Sequence, residues 1–221
     1  IAVLAPLAVI ALVMPNYTQA APGPFYSALQ LGFVSGVTLL LYGAFLFIQT
    51  VRHVDYFLPP EAEAEHDAAA GPALWVSGAM LVVSLAAVVL LSKTFAGLLD
   101  VTLGRLGAPP ALAGVIVALL VLAPESISAL KAARANVLQK SVNLGLGSAL
   151  ATIGLTIPTV ALVSLVTGVD VVLGLGPRET VLLALTLFVS AVTFSSERTN
   201  ILFGVVHLVI FACWLFLIFV P

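Results

Sequence analysis

Charge is what this sequence most lacks. Only 8% of its 221 residues are Asp, Glu, Lys or Arg, against 62% hydrophobic residues and a mean hydropathy of +1.22. A soluble domain carries roughly a quarter charged residues. So few charges cannot cover a water-facing surface, which excludes a soluble globular protein and makes lipid the main solvent. Cysteine is almost missing as well. Cys213 stands alone in an apolar run, which rules out an intrachain disulfide and reads as a small buried hydrophobe. The net charge of -2 comes with no basic patch, so nothing points to nucleic acid, and no glycine-rich nucleotide motif or cysteine-rich metal motif occurs. Ile1–Met14 is apolar but lacks the basic opening of a secretory signal peptide. It reads as the remainder of a helix whose preceding sequence is missing.

What is present is a succession of apolar runs near the ~20 residues needed to span a bilayer. After the partial run Ile1–Met14 come Ala28–Val51, Gly71–Ser92, a run from Ala111 to Lys131, Ser141–Val169, Thr180–Ser196 and Thr199–Val220. These predict an all-α integral membrane protein, a multi-helix bundle of about seven spans. Lys93–Pro110 reads as a less regular stretch, because it holds Lys93, Asp100 and Arg105 and ends in Pro109-Pro110. One loop stands apart in composition: residues 52–70 contain Asp55, Glu61, Glu63, Glu65, His66 and Asp67. It predicts an acidic linker, either simply solvated or holding a regulatory Ca²⁺. Lys131, Arg134 and Lys140 mark the loop near them as cytoplasmic. Alternation then places Arg52, Arg198 and the acidic linker on the same side.

An ionisable residue inside the bilayer is costly, by about 2.5–3.5 kcal/mol on insertion scales. Glu125 follows the uncharged run Val115–Ala123 and precedes Lys131, about 9 Å of helix rise further on. Such a carboxylate must pair, protonate or hold a cation; the plainer alternative is a helix-end Glu beside Lys131 or Arg134. Pro124 removes a backbone donor and displaces the carbonyl four residues earlier, that of Leu120. Carbonyl and carboxylate oxygens together suit a hard cation such as Ca²⁺. The following span mixes Asn143, Ser148, Thr152 and Thr156 with Gly145, Gly147 and Gly154, and reaches Pro158. Ser148 and Thr152 share a face, with Asn143 about 140° from Ser148 on an ideal helix. Small residues of this kind also serve plain helix packing, but a buried Asn143 amide needs partners. His207, in the last span, is either a hydrogen-bonded structural residue or a candidate ligand, and Glu197-Arg198 reads as an exposed pair.

The run Pro124-Glu125-Ser126 through Lys140, continued by Ser141-Val142-Asn143-Leu144-Gly145-Leu146-Gly147-Ser148 to Pro158, resembles the second α-repeat of the cation/calcium exchanger superfamily, in the version carried by bacterial calcium/proton antiporters. The resemblance covers roughly residues 111–160. It implies two inverted halves, each giving one glutamate to a central cation site, and no cofactor beyond the transported Ca²⁺ and H⁺. Glu125 matches the second-repeat glutamate, where Ca²⁺ and protons bind in alternation. Ser148 matches the serine of the small-residue motif, and Asn143 a position where relatives carry an acidic or amide residue. Val121 and Leu122 occupy the places of the family's more general Gly-Asn pair. On this reading residues 1–51 are the last two helices of a first half, 52–70 the acidic linker, and 71–221 a five-helix second half. The partners expected are the lipid bilayer, the two ions and an N-terminal half carrying the first repeat, absent from these residues. The expected place is the inner membrane, multi-pass.

The function expected is therefore Ca²⁺/H⁺ antiport through Glu125. Its rivals are Na⁺ or K⁺ exchange for protons on the same fold, an intramembrane enzyme using Glu125 and His207, and a structural membrane subunit.

Overall fold

A computed structural model describes residues 1–21, 23–52, 74–195 and 200–220. The acidic linker and Glu197-Arg198 lie outside the described residues. The described chain is helical, without a strand. Helix α1 (Leu4–Ala8) loosens into a π turn over Val9–Val13 and tightens into a 3-10 turn over Met14–Tyr17. Then follow α2 (Ala28–Phe47), α3 (Leu74–Arg105), α4 (Ala111–Arg134), α5 (Leu138–Thr167), α6 (Pro177–Ser195) and α7 (Ile201–Phe219). Six of these helices are long and apolar enough to cross a membrane, and the shorter Leu4–Tyr17 is apolar too. Their flanks present Leu, Val and Phe outward, which only lipid tolerates on this scale.

Local sequence explains where the helices start and stop. Ser27 and Gln30 form a reciprocal capping box at the start of α2: the Gln30 amide donates to Ser27 Oγ at 3.4 Å and the Ser27 amide to Gln30 Oε1 at 2.9 Å. Helix α3 corrects one expectation. Lys93 and Asp100 do not break the helix, which runs on to Arg105; Lys is a good helix former, and one Asp costs at most about 0.7 kcal/mol of propensity, too little to end a long helix. The chain turns only at Gly107, whose φ of 65° is left-handed, with Pro109-Pro110 behind it. Gly168, at φ 68°, ends α5 in the same way. A second correction concerns Cys213, which is exposed on α7. An apolar run implies an interior only in water; here it equally implies a lipid-facing surface.

The chain divides into two compact units, one drawn from Ile1–Leu58 and Glu125–Trp214, the other from Pro59–Pro124 and Leu215–Pro221. In the first, α2 packs along α5, and Ala11, Val34 and Ile157 form the core with Ile10, Tyr26, Ile153 and Leu173 around them. The loosened turn Val9–Val13 leaves carbonyls to be met from elsewhere. Tyr26 Oη donates to the Ile10 carbonyl at 2.5 Å, and the Leu175 amide to that of Leu12 at 2.8 Å. Burial pushes the Tyr26 phenol pKa up and keeps it a donor. Asn16 Nδ2 donates to the Leu175 carbonyl at 2.7 Å, which ties the segment before α6 to the first helix. In the second unit, α3 and α4 line an apolar groove with Leu91, Phe95, Leu98, Val117 and Leu120.

Candidate cation site

Glu125 stands in the second half of α4, inside a continuous helix that passes through Pro124. The residue is half-buried, and its Oε2 is enclosed with no hydrogen-bond partner. Asn143, in the second turn of α5, shows the matching feature: its Nδ2 is enclosed and unpartnered. These are the two enclosed side-chain atoms without a partner among the described residues, and both belong to residues singled out from the sequence. Leaving a buried polar group unsatisfied costs about 1–3 kcal/mol, more for a charged one. An ionised carboxylate in this position calls for a cation, and a neutral one for a proton. A half-turn of the Asn143 amide exchanges its NH₂ for a carbonyl oxygen, which is a cation ligand.

The other expected residues are placed more loosely. Ser148 is half-buried on α5 and its carbonyl accepts the Thr152 hydroxyl at 2.8 Å. Thr152 is thus spent on its own helix and is exposed. Pro158 lies inside α5, which continues through it to Thr167. No group of three or more His, Cys, Asp or Glu able to hold a metal occurs among the described residues. Glu125 on α4 and Asn143 and Ser148 on α5 offer one carboxylate and neutral oxygens from two successive helices.

His207 belongs to a separate cluster. Its Nδ1 lies 2.8 Å from the Phe203 carbonyl oxygen and its Nε2 3.1 Å from Ser190 Oγ. Both ring nitrogens are thereby engaged within α6 and α7, leaving neither for Glu125. Ser190 and Thr193, not among the residues expected from the sequence, are the buried polar residues of α6. Their spacing from Thr186, four and seven residues, was the signal available.

Six helices long and apolar enough to cross a membrane define an integral membrane protein. The chain belongs to the sodium/calcium exchanger family, whose sequence profile, described as "Sodium/calcium exchanger protein", matches residues 76–220. It is 46% identical over 225 residues to a Sinorhizobium fredii protein named "Putative ionic transporter y4hA", covering 100% of this chain and 61% of that one. It is 38% identical over 223 residues to the "Sodium-potassium/proton antiporter ChaA" of Escherichia coli, covering 98% of this chain and 60% of that one. The chain thus spans about three fifths of the length of the curated relatives it matches. No solved structure matches it.

Proposed function

We propose that this chain forms part of a secondary antiporter that exchanges a metal cation for protons, with Glu125 as the residue both loads share. The observation that carries this reading is the enclosed Oε2 of Glu125, which has no partner within an apolar helix. One oxygen can neutralise a cation or bind a proton, and not both at once. Mutual exclusion at that atom couples the two fluxes, while rearrangement of helices exposes it to alternate sides. Asn143 and Ser148 contribute neutral oxygens, and Pro124 and Pro158 shape the helices around them. A second carboxylate from the rest of the full-length protein, in a first repeat outside residues 1–221, completes the charge needed by a divalent ion. The acidic linker joins the two halves, and the protein resides in the inner membrane.

Ca²⁺ is the cargo that an all-oxygen ligand set suits. A second reading, Na⁺ or K⁺ for protons, is favoured by the printed name of the Escherichia coli relative. Both readings share the Glu125 mechanism and differ only in cargo. The test is flux through the full-length protein in proteoliposomes, with proton release followed as Ca²⁺, Na⁺ or K⁺ is added. Glu125→Gln should abolish cation-driven proton movement for every cation. Undiminished flux in correctly folded Glu125→Gln protein would sink the mechanism. Proton release driven by Na⁺ or K⁺ but not by Ca²⁺ would select the second cargo.

A further inference from the structure

The polar cluster between α6 and α7 is left unused by the antiport reading. The Phe203 carbonyl can only accept, so the hydrogen of a neutral His207 ring sits on Nδ1. Nε2 therefore carries the lone pair, and the Ser190 hydroxyl donates to it across 3.1 Å. His207 also lines a cavity of 310 Å³ together with Glu179, Thr186, Phe211 and Trp214. Glu179 lies in the first turn of α6, at the end of the span. Thr186 and Ser190 follow it at intervals of seven and four residues, so the three share one helix face. His207 is six residues beyond the start of α7, about 9 Å of helix rise into the span.

We propose that His207 is a second proton-binding site of this protein, distinct from Glu125, which protons reach through the cavity between α6 and α7. Protonation there reverses one hydrogen bond and leaves the contact in place. The incoming proton bonds to Nε2, which turns from acceptor to donor, and Ser190 Oγ becomes the acceptor. The Ser190 hydrogen then rotates toward the backbone carbonyl of Thr186, the common i−4 partner of a helical serine. Nδ1–H keeps the Phe203 carbonyl throughout. The ring gains one positive charge with every polar atom still paired, which is uncommon for an ionisable group inside a membrane.

Few charged groups surround the ring. Of the cavity-lining residues, the ionisable ones are Glu179 on α6 and His207 on α7. The Glu179 carboxylate is held by Arg178 at 2.9 Å. On α7 the other titratable residue is Cys213, which is exposed and does not line the cavity. No Lys or Arg is among the cavity-lining residues, and Glu179 lines it at the start of α6.

Two measurements on the full-length, untagged protein in lipid decide the matter. In the first, every histidine except His207 is replaced by Gln, His53 and His66 included, and the imidazole ¹⁵N resonances are followed from about pH 8 to about pH 5, where histidine titrates. The expected result is an Nδ1–H neutral ring that converts to imidazolium as pH falls, with the midpoint displaced in Ser190→Ala. A ring that stays in one neutral tautomer over the whole range overturns the proposal. In the second, Thr186→Cys is made in a background free of other cysteines, Cys213→Ser included, and treated with a charged, membrane-impermeant thiol reagent. Labelling from one face of the membrane is expected; resistance from both faces overturns the route. Neither measurement uses transport, and Glu125→Gln should leave the histidine titration in place, so this inference and the antiport mechanism stand or fall separately.

Discussion

Gly154 on α5 stands directly against Tyr42 on α2: a Cβ built on the glycine would lie 2.8 Å from Tyr42 Cβ and 3.0 Å from its Cγ. Those are the inner atoms of the tyrosine, which cannot swing aside as a side-chain tip can. The α2–α5 pair, which frames the core of Ala11, Val34 and Ile157, therefore depends on a missing methyl group. Gly154→Ala should destabilise the protein by about 1–3 kcal/mol, the usual cost of overpacking. Thermal unfolding in detergent measures this. In a Tyr42→Ala background the same substitution should cost much less, and an equal cost in both backgrounds would refute the contact.

Gly174 makes a comparable prediction before α6. A Cβ there would meet the Asn16 side chain and come within 2.7 Å of Pro24 Cβ. Gly174→Ala should lift the segment off the first helix and break the bond from Asn16 Nδ2 to the Leu175 carbonyl. Faster limited proteolysis at the segment before Pro177 is the expected readout.

Asn143→Leu separates stability from transport. The substitution removes an enclosed amide nitrogen that has no partner and keeps the branching and heavy-atom count of the side chain. Replacing an unsatisfied polar group by an apolar one is commonly neutral or stabilising. The thermal midpoint should hold or rise, while cation affinity, read as the concentration for half-maximal proton release, weakens about tenfold, worth ~1.4 kcal/mol. A variant that loses stability and keeps its affinity would remove Asn143 from the site.

Ser190→Ala removes the side-chain bond from α6 to His207. Interhelical side-chain bonds in membranes average about 0.6 kcal/mol and reach about 1.7. A small drop in thermal midpoint within that range is expected, because Nδ1 keeps its own carbonyl at 2.8 Å. A collapse of the fold would mean that the serine carries far more of the α6–α7 association than one bond can.

Much of this protein was legible in its sequence, for a local reason. Spans such as Ala28–Phe47 and Ile201–Phe219 follow from uncharged length, since the bilayer accepts few other backbone arrangements. Glu125 and Asn143 stood out because polar groups in apolar runs need a reason to be there, and the exchanger family followed from the residues around them. Errors arose where a local signal had two meanings. Lys93 and Asp100 looked like a helix end and proved to be charges on a continuing helix. Cys213 looked interior and proved exposed, because lipid makes apolar surface and apolar core read alike.

What the sequence determined by itself was the number and type of helices. Only tertiary structure decided which polar atoms are enclosed. It left Glu125 Oε2 and Asn143 Nδ2 unpartnered, gave His207 to Ser190, and set Tyr42 over Gly154. Hydropathy is a sum over neighbours along the chain, whereas satisfaction of a polar atom depends on residues far away in sequence. Ser190 and His207 are separated by 17 positions, and no one-dimensional pattern states that they meet.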